Sequence, residues 1–75
     1  MKAYLGVDIG TTGVKASAYD IDGDLLGQSF VKAKIYYPAP GRVEQQPDEM
    51  LEETLGAIAK VVASLRGEKV AAISI

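Results

Sequence analysis

Asp8, Gly10, Thr11, Thr12, Gly13 and Lys15 fall within one short stretch, Leu5-Gly6-Val7-Asp8-Ile9-Gly10-Thr11-Thr12-Gly13-Val14-Lys15, directly after an apolar run. Together they offer a carboxylate, two hydroxyls, an amine and a backbone little encumbered by side chains, which is a set suited to an anion. Gly10 and Gly13 can take left-handed angles and approach a ligand closely, so that successive N–H groups converge on phosphate oxygens. Thr11 and Thr12 add hydroxyl donors. Asp8 would repel a bare phosphate, and its place beside the turn makes chemical sense when a divalent cation stands between the two. Mg²⁺ is the natural candidate, being commonly held through water by one or two carboxylates together with substrate phosphates. Lys15 would then offset further phosphate charge. The competing reading of the same residues is a tight Gly-Thr-Thr-Gly hairpin with a solvated aspartate, since glycine and threonine are common turn residues. Two familiar phosphate fingerprints do not fit. The dinucleotide G-x-G-x-x-G and the P-loop G-x-x-x-x-G-K-[ST] both open a helix, whereas here the glycines are Gly6, Gly10 and Gly13 and an alternating, strand-like run follows.

The elements that must position these residues can be read from periodicity. Between Ala3 and Asp8, Leu5 and Val7 alternate with Tyr4, Gly6 and Asp8, which predicts a strand with one apolar face and one face ending in the carboxylate. Val14, Ala16 and Ala18 alternate with Lys15, Ser17 and Tyr19, so the turn joins a β-hairpin. An Asp22-Gly23 turn signal leads into a third strand from Leu25 to about Ile35, completing a meander. Pro38, Pro40 and Gly41 mark a connecting loop over 36–46. Pro47 suits a first helical position, with Asp48 and Glu49 where the helix dipole favours acids. Leu51, Leu55, Ile58, Val62 and Leu65 then recur at helical spacing and predict the buried stripe, with Arg66-Gly67 as the stop. Val70 to Ile75 is nearly all apolar and reads as a buried strand, parallel to an earlier one. It has no turn, cap or polar tail after it, so natural sequence is expected to continue beyond Ile75.

Composition bounds the function. With 75 residues only one modest core can form. The 48% apolar and 24% charged residues are ordinary for a globular protein. A net charge of −2 with scattered lysines argues against nucleic acid as a partner. The absence of cysteine and histidine excludes disulfides, thiolate metal sites, the usual zinc chemistries and any imidazole-based triad. Apolar runs are far shorter than a membrane span and no signal peptide opens the chain, so no membrane association and a cytoplasmic location are expected.

The run Asp8-Ile9-Gly10-Thr11-Thr12-Gly13-Val14-Lys15 resembles the first phosphate motif of the superfamily that unites actin, hexokinase and the heat-shock chaperone ATPases. Gly41-Arg42-Val43-Glu44-Gln45-Gln46-Pro47-Asp48-Glu49 is similar to the G-x-x-E-Q-D-P-E segment of the FGGY carbohydrate kinases, including xylulokinases and gluconokinases. The Ile35-Tyr36-Tyr37-Pro38 stretch and the Val70–Ile75 strand fall in matching order, so the resemblance covers essentially the whole chain. It implies an α/β, ribonuclease H-like (actin-like ATPase) fold, of which residues 1–75 would be the N-terminal part of the first domain of a larger two-domain kinase: three-stranded meander, one helix and a returning parallel strand. It implies that the parent protein uses ATP and Mg²⁺ to phosphorylate a hydroxyl of a sugar, sugar acid or polyol, xylulose or gluconate being favoured from the 44–47 segment. Asp8 would approach the metal through water, Gly10, Thr11, Thr12 and Gly13 would line the phosphate site, and Lys15 would contact the transferred phosphoryl group.

In the resembled family the catalytic base and the sugar-clasping residues lie downstream, which predicts that the 75-residue chain alone is inactive. Gln46 departs from the family's usual aspartate and removes a capping carboxylate. Alternatives are an ATPase of the same superfamily that drives a conformational change, such as a chaperone or dehydratase activator, and a folded fragment that binds nothing. The kinase branch alone carries the 38–49 segment. Tyr36 and Tyr37 are read as pinning the loop onto the core in preference to stacking on a sugar. Glu44, Asp48 and Glu49 are read as acids at a helix start and not as a paired-carboxylate site, and Glu52, Glu53 and Lys60 as a solvated face. A final apolar strand leaves homo-oligomerisation by edge pairing open.

Overall fold

The computed structural model describes residues 2–36, 39–41 and 44–75. In chain order they form β1 (Lys2–Ile9), β2 (Gly13–Tyr19), β3 (Leu25–Lys32), α1 (Pro47–Ala63) and β4 (Lys69–Ser74). The sheet order is β3-β2-β1-β4, with β1, β2 and β3 antiparallel in sequence and β4 parallel to β1. The meander and the parallel return are both as the periodicity predicts, and α1 supplies the crossover that a parallel connection requires.

The register explains how the sheet carries a site. Leu5 pairs with Ala18, Val7 with Ala16 and Asp8 with Lys15. Because side chains alternate between faces, Ala3, Leu5, Val7, Val14, Ala16 and Ala18 share the face that packs on Ala57 and Val61 of α1 and forms the core. Asp8, Lys15, Ser17 and Tyr19 therefore share the other face. A slip of one residue would turn Asp8 into the core, so the same burial that stabilises the fold fixes the site's register.

The β2–β3 connection is an Asp20–Asp24 turn. Asp20 Oδ1 accepts the N–H groups of Asp22 (2.9 Å) and Asp24 (3.0 Å), while Gly23 takes φ +86°. β3 ends at Lys32 and not near Ile35, because its partner β2 begins at Gly13, opposite Lys32. Past that point the backbone turns to other acceptors: Ala33 N–H donates to the Thr12 carbonyl (3.0 Å) and Lys34 N–H to Glu53 Oε2 (2.7 Å).

Three expectations about burial are corrected. The stripe of Leu51, Leu55, Ile58, Val62 and Leu65 is not the buried one: Leu51 and Leu55 are 59% and 56% exposed, whereas Ala57 and Val61 are fully buried and Glu53 and Thr54 are buried beside them. The sheet face beneath α1 is built of Ala16, Ala18 and Ser29, whose hydroxyl donates to the Ala57 carbonyl (2.5 Å), so the helix settles with its small residues against it. Ile58 and Leu65 pack at the margin of that contact. Glu53 is accordingly not on a solvated face, although Glu52 and Lys60 are exposed. β4 is exposed along its whole length, because it is an edge strand and α1 lies over β2 and β3. The helix stops at Ala63 with Ser64 as its cap, three residues before Gly67 takes the left-handed φ of +82°.

At its start α1 follows expectation. Pro47 occupies the first turn with Asp48 and Glu49, and Gln46 caps it with no side-chain hydrogen bond. Tyr36 bridges to Glu44 through paired backbone hydrogen bonds of 2.8 and 2.7 Å, and its hydroxyl donates to Glu49 Oε1 (2.6 Å). It thus pins the loop to the helix start and not to the apolar core; Tyr37 and Pro38 lie outside the described residues. Glu49 is a hydrogen-bond partner as well as a dipole-favoured acid. Its acceptance of the Tyr36 proton, partial desolvation, and the negative charges of Glu49 and Glu53 hold the phenol above its usual pKa.

Candidate functional site

The hairpin turn is closed by Gly10 N–H donating to the Gly13 carbonyl (2.9 Å), which leaves Thr11 and Thr12 at the tip, both exposed. No residue of this turn has a positive φ. The left-handed angles expected of Gly10 and Gly13 are therefore not used, because the strands are joined through ordinary backbone regions. The two glycines serve space instead. A Cβ on Gly13 would collide with the Phe30 ring and the Val31 carbonyl of β3, whereas one on Gly10 would meet only Gly13 O at 3.6 Å, an ordinary contact. Gly13 is buried at the start of β2, and Gly10 is open to solvent.

The tip's carbonyls are occupied and its amides are not. Thr12 C=O accepts from Ala33 N–H (3.0 Å) and Thr11 C=O from the Gln45 side-chain amide (3.0 Å). The N–H groups of Thr11 and Thr12 have no acceptor among the described residues. Two amides without an acceptor among the described residues and two threonine hydroxyls thus share one exposed tip, a set of donors that could hold an anion.

Behind the tip, Asp8 and Lys15 stand opposite each other across the hairpin, and both are exposed. They line an open groove of about 290 Å³ on the sheet face away from α1, together with Gly6, Ser17, Tyr19 and Ser74 of β4. Gln28 Nε2 donates to Ser17 Oγ (2.9 Å), which ties the groove wall to β3. Thus the structure brings Asp8 and Lys15 together on one wall, carries Gly10, Thr11 and Thr12 at the adjoining tip, and buries Gly13 beneath it. Among the described residues no three acidic groups cluster as a metal site. A cation near Asp8 would take most of its ligands from phosphate and water, and that is how Mg²⁺ is commonly held. The residues present therefore fit a magnesium–phosphate group: amide and hydroxyl donors, one carboxylate and one amine within a single hairpin. Among the described residues no helix is long and apolar enough to cross a membrane.

Gln45 falls on the Q of the G-x-x-E-Q-D-P-E match, but neither periodicity nor motif places it beside the hairpin, because its contact with Thr11 spans 34 positions.

Comparison with known proteins gives these features a context. The model of the N-terminal domain of the FGGY family of carbohydrate kinases matches residues 3–75. A glycerol kinase of Petrotoga mobilis is 36% identical over 76 aligned positions, which take in 99% of this chain and 15% of that protein. Glycerol kinase 1 of Thermotoga maritima is 41% identical over 58 positions, 77% of this chain and 12% of that protein. The solved structure of a xyloylose kinase from Brucella ovis superposes with a TM-score of 0.77 at 34% identity, covering 83% of this chain and 13% of that one. The ligand-bound xylulose kinase from Lactobacillus acidophilus gives a TM-score of 0.83 at 22% identity, covering 99% of this chain and 16% of that one, a likeness of fold. The mixed four-stranded sheet with its helix is the opening portion of the ribonuclease H-like fold of these proteins.

Proposed function

This chain belongs to the FGGY family of carbohydrate kinases, and from that premise we propose that the protein carrying it transfers the γ-phosphoryl group of ATP to a hydroxyl of a sugar or polyol. The chain spans about one seventh of the curated relative it matches along its length, 15% of that protein, so it contributes one part of such a machine: the hairpin that holds phosphate. The observation that carries the reading is the hairpin tip, whose Thr11 and Thr12 amides have no acceptor among the described residues, with Asp8 and Lys15 side by side behind it. The family match runs through the 36–46 loop as well as the hairpin, which favours a kinase over the ATPase branches that share only the hairpin.

Each residue then has a role. Thr11 and Thr12 donate N–H and hydroxyl protons to phosphate oxygens, Gly10 leaves the space for the phosphate to approach, and Gly13 packs the hairpin against Phe30 and Val31. Lys15 offers an ammonium to balance charge on the transferred group, its place opposite Asp8 supporting that role. Asp8 would hold the cation through water. When bound, ATP supplies the phosphoryl group and Mg²⁺ neutralises the phosphate charge. Because phosphoryl transfer rests on positioning and charge stabilisation, the hairpin must act with an acceptor-binding surface and a base from elsewhere in the protein. A cytoplasmic location goes with ATP as donor. Glycerol and xylulose, named by the relatives, head the acceptors to test, with gluconate and ribulose after them.

The test is coupled ADP release from the full-length protein, with each acceptor offered separately and the 75-residue chain as control. Release that depends on one acceptor is expected from the full-length protein and none from the control. Release independent of every acceptor would refute the kinase reading, and turnover by the control would refute the division of labour.

A further inference from the structure

The two peptide units that shape the hairpin tip are held in different ways. The Thr12–Gly13 unit is fixed by backbone, since Thr12 C=O accepts from Ala33 N–H just beyond β3 (3.0 Å). The Thr11–Thr12 unit has no backbone partner among the described residues, and its carbonyl is held instead by Gln45 Nε2 at 3.0 Å. A trans peptide is planar, with C=O and N–H pointing in opposite directions across one bond. Anchoring the Thr11 carbonyl toward the loop therefore aims the Thr12 N–H away from it, into the open space at the tip.

We infer that Gln45 is a positioning residue for the phosphate turn, fixing the Thr11–Thr12 peptide so that the Thr12 amide is aimed before any anion arrives. The inference rests on the phosphate reading proposed above. Its benefit is preorganisation: a donor already oriented loses little freedom when the anion binds. The loop's geometry supports it. The paired Tyr36–Glu44 hydrogen bonds bring the returning chain back across the 36–44 segment, and Pro47 starts α1 immediately after Gln46, so Gln45 is held between two fixed points beside the hairpin. The neutral side-chain amide supplies a donor without adding charge that would compete with Lys15 for the phosphate.

The experiment uses the ¹⁵N-labelled full-length protein, free and titrated with magnesium pyrophosphate, as wild type, Gln45→Met and Gln45→Asn. Methionine keeps the length and removes the donor; asparagine keeps the amide and shortens the reach. In both variants the ligand-free Thr12 amide proton is expected to move upfield while the core amides of Ala57 and Val61 stay in place. Pyrophosphate binding should weaken roughly two- to tenfold, the equivalent of one net hydrogen bond. A Thr12 amide that does not move in either variant would overturn the inference, as would a moved amide with unchanged affinity. Wild-type Thr11 and Thr12 amides indifferent to magnesium pyrophosphate would instead refute the phosphate reading, and the ligand-free Thr12 shift then decides by itself whether Gln45 holds the peptide.

Discussion

Replacing the two motif glycines by alanine, one at a time, separates two accounts of why they are there. If the turn needed left-handed backbone at both, each substitution would cost about 1–2 kcal/mol. The structure predicts unequal effects. At Gly13 a new Cβ runs into the Phe30 ring and the Val31 carbonyl. Phe30 is 53% exposed and can swing aside, but the carbonyl belongs to the β2–β3 ladder, where Gly13 faces Lys32, and cannot move without disturbing the pairing. Overpacking of that kind typically costs about 1–3 kcal/mol, which for a chain of this size lowers Tm by roughly 5–20 °C. At Gly10 the nearest atom is Gly13 O at 3.6 Å and the φ is not left-handed, so alanine fits. The expected effect is within about 0.5 kcal/mol of zero, or a small gain from the reduced freedom of the unfolded chain. Thermal and urea unfolding followed by circular dichroism on the wild type, Gly10→Ala and Gly13→Ala would measure both. Equal losses, or a larger loss at Gly10, would refute the reasoning.

Three other outcomes follow from the same geometry. Val61→Ala should cost about 2–3 kcal/mol, from about 0.8 kcal/mol for each of two buried carbons plus a cavity term, while Leu55→Ala, more than half exposed, should cost below about 1 kcal/mol; urea unfolding that ranks them the other way would restore the stripe read from the sequence. Since the Tyr36 phenol is held above its usual value of about 10, the neutral form is favoured in the fold, and its contribution is complete below pH 10 and lost as pH rises through the raised pKa. The stability gap between wild type and Tyr36→Phe should therefore shrink above pH 10, and an NMR titration should show Tyr36 ionising above its usual value. Lys15→Met in the full-length protein should lower kcat by on the order of 10²-fold with little change in KM for the acceptor, and an unchanged kcat in a coupled assay would remove Lys15 from the phosphoryl site.

Much of the hairpin was legible in the sequence because its signals are local. Alternation in Ala3–Asp8 and Val14–Tyr19 sets which side chains share a face, and a short turn sets the register, so the pairing of Asp8 with Lys15 follows from residues close in the chain. Pro47 and the acids after it mark the helix start for an equally local reason. Which side of α1 is buried is a different kind of question. Leu51, Leu55 and Val62 satisfy the helical period as well as Ala57 and Val61 do, and only the docking of α1 over β2 and β3, onto a face of small residues, decides between them. For the same reason β4 looks buried by composition and is exposed as an edge.

The sequence by itself thus determined the elements, the antiparallel hairpin and the residues its tip presents, because period and turn chemistry act over a few positions. Tertiary structure alone decided the rotation of the helix, the burial of Glu53 against the Lys34 backbone, the steric need for glycine at Gly13, and the reach of Gln45 to Thr11. Each depends on which distant surfaces meet, and no local pattern encodes that.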